Sequence, residues 1–263
     1  MSDTSSLRAL QEALDHTLDA LAVQAGEVLM VHGDAMLVAQ FGLGAEGIEA
    51  LFRQLEQRLG PTGTLILPSF SYSLTQGEVF DVRHTPSQVG MLSEAFRQRP
   101  GVLRTLEPIF SVAVSGAAAT SLSVQENHDC FGEESLFAWL HHHNARLLGL
   151  ACAADRITFT HYVEQCLGVD YRYYKTFQGQ LCDHQGRLRP WHSRYLVRDT
   201  ERATQVDLRL LQQRMQQQGL WQRSLCGRLP VWSVRCQDFY QSAAALVAQQ
   251  PNGLIREGAN HGN

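Results

Sequence analysis

Thr158, His161 and Glu164 stand three residues apart in the run Thr158-Phe159-Thr160-His161-Tyr162-Val163-Glu164. On a helix that spacing puts all three on one face. An imidazole with a carboxylate one turn away is held in one tautomer and becomes a better proton acceptor. The chemistry this suits is general-base catalysis, with Thr158 capping the helix or hydrogen-bonding beside it. Short patterns of this kind also arise by chance, and many helical histidines are only packed. What surrounds the trio therefore matters.

The apolar run Leu147-Leu148-Gly149-Leu150, just upstream, reads as a buried strand that feeds the helix. Leu7, Leu10, Leu14, Leu18 and Leu21 recur at three- and four-residue steps, which predicts an amphipathic helix over 5–24. A short apolar strand from Glu27 ends in His32-Gly33-Asp34. A helix over 46–59 is then broken by Gly60-Pro61-Thr62-Gly63, and Thr64 to Pro68 is the next strand. This alternation predicts an α/β fold with a mostly parallel central sheet flanked by helices. Phe70 to Pro86 has loop composition, and long irregular segments inside a domain are commonly functional. A short helix over 90–98, a strand from Pro108 to Ser115 ending at Gly116, a helix near 134–143 and a strand over 145–150 continue the pattern. From Tyr171 to Val197 the alternation of aromatic and polar residues around Gly186 predicts antiparallel strands, a smaller β excursion near 171–197. A helix over 204–217, a strand near 230–236 and a helix over 237–249 complete a single domain over 1–250. Residues 251–263 are expected to form a frayed tail.

The 263 residues are 44% hydrophobic and 18% charged, with a formal net charge of -4. That balance lacks the basic stripe of a nucleic-acid binder. No window approaches the roughly 18 apolar residues of a membrane span, and the polar start Met1-Ser2-Asp3-Thr4-Ser5 has no secretory pattern, so a cytoplasmic protein without a membrane partner is expected. The six cysteines are scattered without a C-x-x-C pair, which favours reduced thiols over disulfides or zinc. His141-His142-His143 invites a metal, but consecutive helical residues diverge by about 100° and cannot converge on one ion. No metal is expected. Lys175 is the only lysine.

Several segments, taken in order, resemble one family, the aminoglycoside 3-N-acetyltransferases. They are Gly63-Thr64-Leu65-Ile66-Leu67-Pro68; Val89-Gly90-Met91-Leu92-Ser93-Glu94-Ala95-Phe96-Arg97 with Pro100-Gly101-Val102-Leu103-Arg104-Thr105; Pro108-x-x-Ser111-x-Ala113-x-x-Gly116; His128 with Gly132 and Ser135; and Thr158-x-x-His161-x-x-Glu164. Together they cover roughly 25–250. The resemblance implies an N-acetyltransferase that uses acetyl-CoA as co-substrate, on an α/β fold of its own distinct from the GNAT acetyltransferases. It implies His161 as base, since a protonated amine cannot attack a thioester and a free imidazole titrates at about 6.5. Glu164 would orient it and Thr158 would hydrogen-bond nearby. Ser111 and Gly116, with His32, Gly33 and Asp34, would meet the cofactor or the oxyanion. Tyr72, Asp81 and His128 would touch the acceptor, although Asp81 equally suits a surface ion pair and His32 a structural role.

Two positions depart from the family's pattern. Glu107-Pro108 stands where a His-Pro is usual, and His32-Gly33-Asp34 where His-Ser-Ser is usual. Glu107 is accordingly placed in the catalytic set as an altered pocket residue, with a solvated carboxylate as the alternative. The tract Val163 to Gly179 is similar to a branch that modifies amino sugars for surface glycans, and Tyr171 to Lys175 would meet cofactor phosphates or a nucleotide sugar, or form a plain strand of alternating exposure. An amino sugar, free or nucleotide-linked, is therefore the expected acceptor. The alternatives are an aminoglycoside, as in antibiotic resistance, and a catalytically impaired homologue that only binds coenzyme A or a sugar. A homodimer is compatible with each.

Overall fold

Leu10, Leu14, Leu18 and Leu21 are fully buried because the helix that carries most of them, α1 (Ser2–Ala20), lies on a sheet that is apolar on both faces. The structure is a computed structural model, and it describes residues 2–202 and 204–257. The remaining helices are α2 (Met36–Ala39), α3 (Ala45–Leu59), α4 (Met91–Arg97), α5 (Ala119–Val124), α6 (Leu136–His142), α7 (Phe159–Leu167), α8 (Arg209–Gln217) and α9 (Cys236–Gln249). The strands are β1 (Val28–Gly33), β2 (Thr64–Pro68), β3 (Phe80–Asp81), β4 (Leu103–Arg104), β5 (Val112–Gly116) and β6 (Arg146–Leu150). They continue with β7 (Arg172–Cys182), β8 (Leu188–Arg198), β9 (Thr204–Val206), β10 (Gln222–Cys226), β11 (Leu229–Arg235) and β12 (Ile255–Glu257).

Among the described residues the main sheet has seven strands in the order β10-β11-β6-β1-β2-β5-β4. Its centre, β6-β1-β2, is parallel, and the flanks pair antiparallel. Strands β10, β6, β1, β2 and β4 thus run one way, and β11 and β5 the other. Side chains alternate across the pleat. Leu29, Val31, Leu65 and Leu67 meet α1, α3 and α4 on one face, while Met30 and Ile66 meet α6, α7 and α9 on the other. Gly149 in β6 is set by this packing, since a Cβ there would lie 1.9 Å from the Trp232 ring.

The β excursion is the long hairpin β7–β8, with β3 on its outer edge. Three expectations change. The expected helix over 204–217 begins only at Arg209, and its first residues are strand β9. The polar strand β10 and the short helix α5 lack apolar periodicity and left no signal. Residues 251–257 are not frayed: Leu254 is fully buried and β12 pairs with β9, while 258–263 lie outside the described residues. No helix among the described residues is long and apolar enough to cross a membrane.

Candidate active site

In an open α/β sheet the loops after the parallel strands form the natural crevice. Here β6 ends at Leu150, the chain turns through Ala151 at φ 55°, and a single 3-10 turn leads into α7. Phe159, Tyr162 and Val163 anchor α7 in the core. Thr158 precedes the helix, yet its side chain makes no cap; its carbonyl instead accepts from His161 N at 3.0 Å. The neighbour Thr160 is fully buried, and its hydroxyl has no partner in the protein.

Glu164 is completely buried, with Oε2 2.7 Å from His161 Nδ1 and 2.7 Å from Arg172 Nε. Burial works to raise its pKa, but the hydrogen bond from His161 and the His161 and Arg172 charges outweigh that and hold it below the usual value. An ionised carboxylate accepts only, so Nδ1 must carry the proton that bonds to it. The Nε2 lone pair is then left to take a proton from elsewhere. The His161 side chain is 19% exposed, enough to be reached. Its ring stands edge-on to Phe131 at 5.7 Å.

Phe131 is also a wall of an open groove of about 850 Å³, bordered by His128, Asp129, Gln165, Tyr174 and Arg194 among others. His161 is not itself in that wall; its ring packs on Phe131, and it stands on the helix that contributes Tyr162 and Gln165 to the groove. Four carboxylates border the groove: Glu126, Asp129, Glu133 and Glu134. The near-neutral whole-chain composition concealed this local concentration. Tyr195 packs against Phe110 and Phe131 beside the same cluster, and burial pushes its phenol up to about 12.

The other residues singled out in the sequence scatter. His128 lines the groove, stacked on His192 at 4.2 Å with Nδ1 2.8 Å from the His192 carbonyl. Glu107 is not a partner of His161. It is buried, accepting hydrogen bonds from Phe110 N at 2.6 Å and Ser193 Oγ at 2.7 Å, and burial raises its pKa despite them. It borders a cavity of about 20 Å³, room for a water and no substrate. Ser111 is equally committed, since its hydroxyl donates to Ser69 O at 2.8 Å and accepts from Arg104 Nε at 3.1 Å. Gly116 sits at the far end of β5 from Ser111, where a Cβ would strike Gly63 O at 2.3 Å; it is a packing glycine.

His32, at the end of β1, is 5% exposed with both ring nitrogens unpartnered, and burial lowers its pKa to about 4. Gly33 is held by packing, for a Cβ would come within 3.0 Å of Leu92. Asp34 is occupied by the turn that leads into α2, accepting from Met36 N at 2.8 Å. Asp81 is occupied by its own turn, accepting from Arg83 N at 2.8 Å and His84 N at 3.1 Å. Tyr72 is exposed and is among the neighbours of the Tyr195 phenol. Arg172 is bound to Glu164 and not free for phosphates. Among the described residues no group of three His, Cys, Asp or Glu could hold a metal, and His141 and His143 turn to different partners, Tyr162 and Trp139. Asp129 and Arg194 were missed as site residues, since they act through a contact remote in sequence, and Arg172 was expected at phosphates and not on Glu164.

A family model described as aminoglycoside 3-N-acetyltransferase matches residues 30–248. Aminoglycoside N(3)-acetyltransferase VII of Streptomyces paromomycinus is 29% identical over 171 residues, which cover 57% of this chain. The chain thus spans 58% of that relative's length. Among solved structures, a mutant of aminoglycoside acetyltransferase AAC(3)-IVa in complex with apramycin has a TM-score of 0.70 at 25% identity, covering 92% of this chain and 93% of its own. AAC-IIIb in binary complex with CoASH has a TM-score of 0.77 at 20% identity, covering 91% and 96%.

Proposed function

Because the chain belongs to the aminoglycoside 3-N-acetyltransferase family, we propose that it moves the acetyl group of acetyl-CoA onto an amino group of an aminoglycoside, with His161 as general base. The observation that carries this is the His161–Glu164 contact of 2.7 Å on a buried carboxylate, set beside a groove bordered by four acidic residues. An aminoglycoside is polycationic, and a groove with an excess of carboxylates over its one arginine concentrates a ligand of positive charge. The acidic groove and the curated relatives favour this acceptor over the amino sugar expected from the tract 163–179. For acetyl-CoA, support comes from the coenzyme bound to a protein of this fold. That protein is AAC-IIIb, seen in binary complex with CoASH.

His161 Nε2 takes a proton from the substrate amine as its nitrogen attacks the thioester carbonyl. Glu164 stabilises the imidazolium that forms, and Arg172 keeps Glu164 in place. Collapse of the tetrahedral intermediate breaks the C–S bond, and the departing thiolate receives the proton that His161 holds. No enzyme nucleophile is needed.

The test is thiol release from acetyl-CoA in the presence of gentamicin C1a, apramycin and nucleotide-linked amino sugars. Acetylated aminoglycoside and a loss in kcat of roughly 10²–10⁴-fold in His161→Ala are expected. Turnover confined to the nucleotide sugars would return the amino-sugar acceptor. Coenzyme A binding without turnover of any amine would mark an impaired homologue.

A further inference from the structure

The groove contains a recognition site for a cation that is already filled. Asp129 Oδ2 accepts from Arg194 Nε at 3.0 Å and also from its Nη2, while Asp129 Oδ1 accepts from Gln165 Nε2 at 3.0 Å and Phe131 N at 3.2 Å. The Arg194 guanidinium lies over the Tyr174 ring, 4.5 Å from its centroid. An aromatic face beside a carboxylate is a standard receptor for an ammonium group. The strand β8 supplies the occupant, and backbone bonds fix it there: Arg194 N donates to His128 O at 2.7 Å and Cys130 N donates to Arg194 O at 2.9 Å. Of the other groove carboxylates, Glu126 is taken by Arg189 at 2.7 Å, whereas Glu133 and Glu134 are exposed.

We propose that Arg194 is a charge-selectivity residue of the acceptor groove: its guanidinium occupies the Asp129–Tyr174 receptor that a substrate ammonium would otherwise take. This rests on the groove being the acceptor site. Arg194 both removes one acidic partner from the substrate and places a positive charge among the remaining ones, so it disfavours the most highly charged acceptors. Specificity built on a repulsive element has this form. Half of the Arg194 side chain is exposed, so its charge is felt in the groove but screened by salt.

Three proteins decide it: wild type, Arg194→Gln, which keeps a donor for Asp129 without the charge, and Arg194→Ala. KM and kcat are measured with gentamicin C1a and with glucosamine, which carries a single ammonium, at low and high salt. Removing one like charge from the groove should lower KM for gentamicin C1a by about 5- to 20-fold at low salt, with kcat moving less than KM. The gain should shrink at high salt and be much smaller for glucosamine. Calorimetry of gentamicin C1a binding gives the same comparison without turnover. If wild type acetylates no amine but the variants bind gentamicin C1a more tightly, the proposed activity fails and the role of Arg194 stands. Weaker or unchanged gentamicin C1a affinity in both variants, or no binding to any of the three, overturns it.

Discussion

Glu164 Oε2 is shared by an imidazole and a guanidinium, and that sharing fixes how the His161 ring is held. The oxygen lies 2.7 Å from both His161 Nδ1 and Arg172 Nε, with Glu164 fully buried. Arg172 holds the same carboxylate oxygen as the imidazole, so it is a positioning residue for the His161–Glu164 contact. Arg172→Gln should lower kcat by roughly 10-fold with little change in KM for acetyl-CoA, and Arg172→Lys should recover part of the loss. A variant that loses thermal stability but keeps the wild-type kcat would sink the claim. The histidine and glutamate were legible in the sequence because three-residue spacing fixes a shared helical face whatever the rest of the chain does. Arg172 was not, since Gly168 ends α7 in a left-handed conformation and the chain reverses into β7 before delivering it. Asp129 and Arg194 were hidden for the same reason: a hydrogen bond across 65 positions leaves no local pattern.

Strand β6 and helix α7 were readable as elements, because an apolar run followed by a three-four periodicity needs no knowledge of neighbours. Their contact with the C-terminal part of the chain was not. Gly149 in β6 is covered by Trp232 of β11, whose Nε1 donates to Cys152 O at 2.8 Å, and Trp232 in turn packs on Trp221 at 4.9 Å. The indole thus holds down both the strand and the start of the loop that presents α7. Gly149→Ala must displace that ring, since its new Cβ would fall 1.9 Å from the indole. Overpacking a filled site costs about 1–3 kcal/mol, and the rigid indole places this variant at the upper end. Chemical denaturation would measure it. A variant as stable as wild type would mean that Trp232 yields freely, and the loop before α7 would then not depend on it.

At the scale of the whole molecule, two buried titratable groups give the fold opposing responses to pH. His32 is neutral in the folded protein, with burial lowering its pKa to about 4, whereas the unfolded chain takes up a proton near 6.5. Between those values the unfolded state binds more protons, so stability rises with pH and is lost as pH falls from about 6.5 toward 4. The difference of about 2.5 units corresponds to about 3 kcal/mol. Glu107 acts in reverse. Burial raises its folded pKa above 4.5, so its contribution is complete below that value and declines as pH rises through the folded one. Neither property was legible in the sequence, where both residues sat in motif positions and neither burial nor partners were visible. His32→Met removes the first titration with a side chain suited to the apolar face that Met30 shares, and Glu107→Gln removes the second at nearly constant shape. In unfolding free energies taken between pH 4.5 and 7.5, His32→Met should lose about 2–3 kcal/mol less than wild type on acidification. Glu107→Gln should gain on wild type as the pH is raised. Parallel curves for wild type and His32→Met would show that the imidazole titrates alike in both states, and the buried, unpartnered ring at the end of β1 would then have to be open to water.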